Sequence, residues 1–145
     1  MSPDQYFYLS NGIAALGWLL LFFAPKWKWT KLLCLSYLIP FVLALIYSYL
    51  LAKKIMVGGE GGFFPLEQVV LLLQNPASAL IAWIHILTFD LFVGSMIVID
   101  AQKQGISHWI LLPCLIITLL YGPFGFVVYM TTRYFIKPKA RGTSF

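Results

Sequence analysis

Charge is what this chain has least of. Asp, Glu, Lys and Arg make up only 10% of its 145 residues, against about 25% in an average soluble domain. No formal charge falls from Gln5 through Pro25, from Leu32 through Ala52, or from Gln104 through Thr132, and Asp90 is alone between Gln68 and Ile99. Runs of that length exclude an ordinary water-soluble core. A β-barrel is excluded as well, because the alternating segments of ~10 residues it needs are missing. Cysteine is scarce: Cys34 and Cys114 sit inside apolar runs without CxxC spacing, which argues for buried free thiols over a disulfide or a metal site. The amino end has no basic n-region and its first apolar run is long enough to span, so a cleavable signal peptide is not expected. The Lys and Arg residues, net charge +5, lie at the ends of the apolar runs and are not grouped with exposed aromatics, which leaves no basis for a nucleic-acid partner. Gly58-Gly59-Glu60-Gly61-Gly62 is followed by no Lys-Ser/Thr pair and reads as a flexible loop rather than a phosphate cradle.

What is present is apolar: 61% hydrophobic and 17% aromatic residues, with a mean hydropathy of +0.86. A hydrocarbon core ~30 Å thick needs about 20 apolar helical residues. The expectation is an all-α integral membrane protein, one domain over residues 1–145. Four transmembrane helices are expected at about Tyr6–Ala24, Leu32–Ala52, Ala77–Ile99 and His108–Thr132. Trp27 and Trp29 alternate with lysines in the first link, as at a membrane–water interface. Between helices two and three, Pro65 opens a segment with Leu66, Val69, Val70 and Leu73 on one face. It is too short to span and reads as an amphipathic helix. Asn75-Pro76 has the form of an N-cap and first helical residue. Four spans put both termini and the middle loop on one face, A, with Lys53, Lys54, Arg133, Lys137, Lys139 and Arg141. Face B takes Lys26, Lys28, Lys31 and Lys103. The excess at A favours a cytoplasmic A face, while the uncharged amino terminus argues the other way.

A carboxylate in mid-span costs ~2.5–3.5 kcal/mol on insertion scales, so Asp90 is the first candidate for function. Counting at ~1.5 Å per residue puts it roughly 16 Å deep, level with Gly122 on an antiparallel fourth helix. There Gly122-Pro123-Phe124-Gly125 breaks the backbone hydrogen bonding and invites a kink. Asn11 and His85 fall nearer face A, with Arg133, Tyr129 and Glu67 at the mouth. The reading is a pocket of Asn11, His85, Asp90 and Gly122–Gly125. His85 lies about 140° around the helix from Asp90, so the two do not stack. A protonated Asp hydrogen-bonded across helices, with a kink serving only packing, is the bland alternative. Asp100 and His108 flank the other short loop, too few ligands for zinc; no metal is expected, and His85 and His108 are too far apart to share a haem iron.

The pattern His85-x4-Asp90-Leu-Phe-Val-Gly94, then Asp100, Pro113-Cys-Leu115, Gly122-Pro-x-Gly125 and Arg133, resembles the abscisic-acid-deficiency-four-like family from about Trp18 to Arg133. Its members are small membrane proteins of plastids and bacteria, and the plant ones are linked to neoxanthin synthesis. Ser95 and Met96 stand where plant members usually carry a basic or aromatic residue. A transit peptide is not evident, so a bacterial inner membrane or a plastid membrane is expected.

The resemblance implies carotenoid metabolism. Turning a carotenoid epoxide into an allene needs an acid and a base but no redox cofactor. Asp90, held neutral by lack of water, would be the acid, and His85 or a water at the break the base. Asn11, Gly122, Pro123, Gly125 and Arg133 would hold the substrate. The competing function is a non-catalytic module that binds a pigment or isoprenoid lipid, or a small subunit among other membrane subunits. A channel is less favoured, since one buried charge offers little conduction path.

Overall fold

The computed structural model describes residues 1–136, and every described element is helical. Helix α1 (Pro3–Phe23) starts at a capping box: Ser2 Oγ accepts from Gln5 N at 3.3 Å and Gln5 Oε1 accepts from Ser2 N at 2.8 Å. Pro25 follows its end. A short α2 (Lys28–Thr30) runs into a π turn, Lys31–Leu35, and the chain then turns through Tyr37 at φ 64° into α3 (Leu38–Val57). The amphipathic α4 (Leu66–Gln74) forms where the sequence places it. Helix α5 (Pro76–Gln104) opens at Asn75, whose Oδ1 accepts from Ala77 N at 3.0 Å and Ser78 N at 3.3 Å, and stops at Gly105, φ 69°. Both ends follow the expected cap chemistry.

Helix α5 is the hub, in contact with α1, α3, α4 and with α6 (His108–Tyr121) and α7 (Pro123–Phe135). Side-chain pairs give the directions. Asn11 meets Trp83 and Gly17 meets Leu91, so α1 and α5 run parallel. Tyr47 meets His85 while Tyr37 meets Phe92, so α3 runs against them. Gly17 and Gly94 set the α1–α5 spacing. A Cβ on Gly17 would stand 2.6 Å from Leu91, and one on Gly94 2.7 Å from Trp18. Small residues at such crossings let apolar helices approach closely. The core of Trp18, Leu21, Leu43, Leu91, Val98 and Leu115 is narrow, while Phe23, Phe41, Leu45, Phe89 and Leu120 are exposed. Apolar exposure on this scale is the surface a bilayer covers. Three helical stretches are long and apolar enough to cross one: Pro3–Phe23, Lys28–Val57 and Pro76–Gln104.

The last part departs from expectation. Instead of one helix over His108–Thr132 there are two, of 14 and 13 residues, folded back on each other. A Cβ on Gly125 would collide with the backbone of Thr118, and Cys114 Sγ lies 3.8 Å from Thr132 Oγ1. In a continuous helix the latter pair would be ~27 Å apart. At the turn Gly122 adopts φ 42°, ψ −100°, and Pro123 has no N–H to continue the ladder. Each arm, ~20 Å long, is shorter than a ~30 Å hydrocarbon core. The arms leave and return on face B, so Arg133 is at B rather than at A. Lys137, Lys139 and Arg141 lie outside the described residues.

Candidate functional site

Asp90 is the central residue of the 29-residue α5, with fourteen residues on either side. It faces the tip of the α6–α7 hairpin: a Cβ on Gly122 would stand 2.5 Å from Asp90 Oδ1. The carboxyl therefore rests against bare backbone, at a turn where a side chain would displace it. Among the described residues it accepts no hydrogen bond, and it is half-buried. Pro123 is the first residue of α7, and Gly125 lets the two arms touch. The expected meeting of Asp90 with the Gly-Pro-x-Gly segment is thus present, as a reversal of the chain instead of a kink.

His85 stands one and a half turns away on the α3 side of α5. Its ring centroid is 4.7 Å from Phe89 and 5.5 Å from Tyr47. It reaches Asp90 through space only, without a hydrogen bond. His85 also lines a mostly apolar cavity of about 470 Å³ between α3, α4 and α5, walled by Leu51, Leu72, Ile81 and Ile86. The glycine loop closes its outer end. Gly61, at φ 97°, passes so near α4 that a Cβ would stand 2.5 Å from the Leu72 backbone, and Gly62 N donates to Gln68 O at 3.1 Å. The loop is therefore packed on α4, which its composition alone does not reveal.

Three residues expected in the pocket or at its mouth are elsewhere. Asn11 is occupied at the α1–α5 seam: Nδ2 donates to Phe7 O at 2.7 Å, and Oδ1 accepts from Trp83 Nε1 at 3.3 Å. Trp83 is seven residues before Asp90, about 10 Å along the axis. Arg133 and Tyr129 do not line a mouth on face A. Because α7 turns back, Tyr129 OH donates to Asp100 Oδ2 at 2.5 Å and Arg133 Nε lies 3.2 Å from the same oxygen. This clamp ties the returning arm to the end of α5. Sequence reasoning missed it, although Tyr129 and Arg133 are four apart and share a helical face. His108 is engaged separately: its Nε2 donates to Phe22 O at 2.7 Å, so Asp100 and His108 do not converge. Cys34 and Cys114 are both free and buried.

Residues 5–129 match the ABA DEFICIENT 4-like family. The chain belongs to that family. The matched span takes in α1 through most of α7, including Asp90, His85 and the hairpin tip. No curated protein and no solved structure matches the chain.

Proposed function

We propose that this member of the ABA DEFICIENT 4-like family acts on a carotenoid-like, lipid-soluble substrate within the membrane, as a cofactor-independent isomerase. The observation that carries the reading is the Asp90 carboxyl, in the middle of an apolar helix, against the backbone of the Gly122 turn. An ionisable group at that depth marks a functional site by default. In the proposed chemistry Asp90 protonates an epoxide oxygen, the C–O bond opens, and His85 or a water takes a proton from carbon to complete the rearrangement. One proton enters and one leaves, so no electrons need an external acceptor. The aromatic and apolar lining beside His85 suits a polyene or isoprenoid chain. In this reading the Gly122, Pro123 and Gly125 hairpin enters from face B and returns to it, a non-crossing element beside three spans, in a bacterial inner membrane or a plastid membrane. Asn11 and Arg133 support helix packing and the clamp, not the substrate.

One observation favours a second reading. No hydrogen bond links His85 to Asp90, an arrangement that also suits a non-catalytic pigment- or lipid-binding subunit. The two separate on the purified protein. Under the enzymatic reading Asp90→Asn retains co-purifying pigment, seen by visible absorbance, but loses turnover on the authentic substrate by about 10²-fold or more. Full turnover by Asp90→Asn overturns the acid assignment, and bound pigment without turnover in the unaltered protein supports the binding module.

A further inference from the structure

On face B, between the α1–α2 turn and the α5–α6 turn, lies a cavity of about 600 Å³ that the Asp90 site does not use. Its floor is apolar, formed by the buried Val98 and Leu111. Its rim is polar and cationic: Lys26 and Lys31 on one side, His108 and Trp109 on the other. Among the described residues no carboxylate lines it. The acid nearest in sequence to its wall, Asp100, already accepts from Tyr129 and pairs with Arg133.

The walls are held by three tertiary bonds. Gln102 Nε2 donates to Pro25 O at 3.1 Å, Thr30 Oγ1 donates to Ala24 O at 2.6 Å, and His108 Nε2 donates to Phe22 O at 2.7 Å. A carbonyl oxygen only accepts, so His108 Nε2 is the donor in the last bond. Among the described residues Lys26 and Lys31 make no ion pair. Trp27, Trp29 and Trp109 are exposed around the same end, in the aromatic placement of a membrane–water boundary.

We propose that this cavity is a binding site for the headgroup of an anionic phospholipid. The phosphodiester sits between Lys26 and Lys31, and its acyl chains run down the exposed apolar flank of the helices. A free phosphate shares the headgroup's charge but has no use for the apolar floor or the tryptophan rim. Basic pockets between membrane helices at one face bind anionic headgroups by this combination of charge and depth.

The test uses the full chain in mild detergent, with phosphatidylglycerol, phosphatidylcholine or inorganic phosphate as probes. Binding is read by native mass spectrometry and by the shift in thermal unfolding. Phosphatidylglycerol is expected to be retained in preference to phosphatidylcholine, with millimolar inorganic phosphate neither competing nor stabilising. Lys26→Gln/Lys31→Gln is expected to weaken phosphatidylglycerol binding by roughly thirtyfold. Lys26→Arg/Lys31→Arg should keep it, and Lys53→Gln/Lys54→Gln at the other face should leave it unchanged. Helical content of each variant, checked by circular dichroism, separates lost binding from lost folding. Equal retention of the two lipids, competition by inorganic phosphate, or unchanged preference in a folded Lys26→Gln/Lys31→Gln variant overturns the proposal.

Discussion

At Gly122 the conformation and the neighbour both require a residue without a side chain. Its φ of 42° is in the left-handed region, and the space a Cβ would take is already held by Asp90 Oδ1. Gly122→Ala should therefore lower stability by about 1–3 kcal/mol, read as a drop in unfolding temperature, and should perturb any function that depends on the carboxyl. An unchanged unfolding temperature would mean that the turn is built differently. At the clamp, Tyr129 is buried but Asp100 and Arg133 are 29% and 40% exposed. Solvent screening makes the ion pair worth little, whereas the Tyr129 hydroxyl is held in the packed seam. Tyr129→Phe is expected to cost about 1–2 kcal/mol, more than Arg133→Gln, in parallel thermal melts. Asp90 itself was legible from sequence because a lone acid in an apolar run is costly to insert. The clamp was not, because a four-residue spacing shows which side chains share a face and not which acid they meet.

Among the elements, the α6–α7 pair is where pattern reading and structure part. An apolar stretch from His108 to Thr132 has the length of a span, and Gly-Pro-x-Gly announces a break without stating its angle. The angle is set by contact: Gly125 against Thr118, and Tyr129 against Asp100, hold the second arm beside the first. The proximity of Cys114 and Thr132 offers a direct measurement. Thr132→Cys is expected to form an intramolecular disulfide with Cys114 on mild oxidation, seen as a loss of two hydrogens by intact mass. A continuous helix would hold these positions ~27 Å apart and could form none. Cys34 does not compete, since its thiol is buried against Gly17 O at 3.6 Å. The cap at Asn75 was readable because capping is local chemistry, complete within three or four residues, whereas the capping box at Ser2 starts the first helix three residues before the expected Tyr6. The packing of the glycine loop over α4 was not, because it depends on a backbone approach between segments.

For the molecule as a whole, the hairpin brings Arg133 to the Asp100 end of the bundle and with it shifts the balance of charge. Among the described residues face B carries Lys26, Lys28, Lys31, Lys103 and Arg133, and face A carries Lys53 and Lys54. The positive-inside tendency then favours face B on the cytoplasmic side, the reverse of the orientation that four full spans suggest. A membrane-impermeant thiol reagent applied to inverted vesicles should label Lys103→Cys and not Ser2→Cys, and intact cells or right-side-out vesicles should give the opposite pattern. Labelling of both from one side would refute the three-span arrangement. By itself, the sequence determined that this is a helical membrane protein, roughly where its long apolar helices lie, and which buried acid to watch. Those follow from hydropathy and from capping, which act over a few neighbouring residues. Only the tertiary structure decided that the chain turns back at Gly122, that Asn11 and Arg133 stand apart from Asp90, and which face gathers the charge. These depend on contacts between residues distant in the chain, and at a glycine–proline break the local backbone allows more than one path, so packing against α5 selects the one taken.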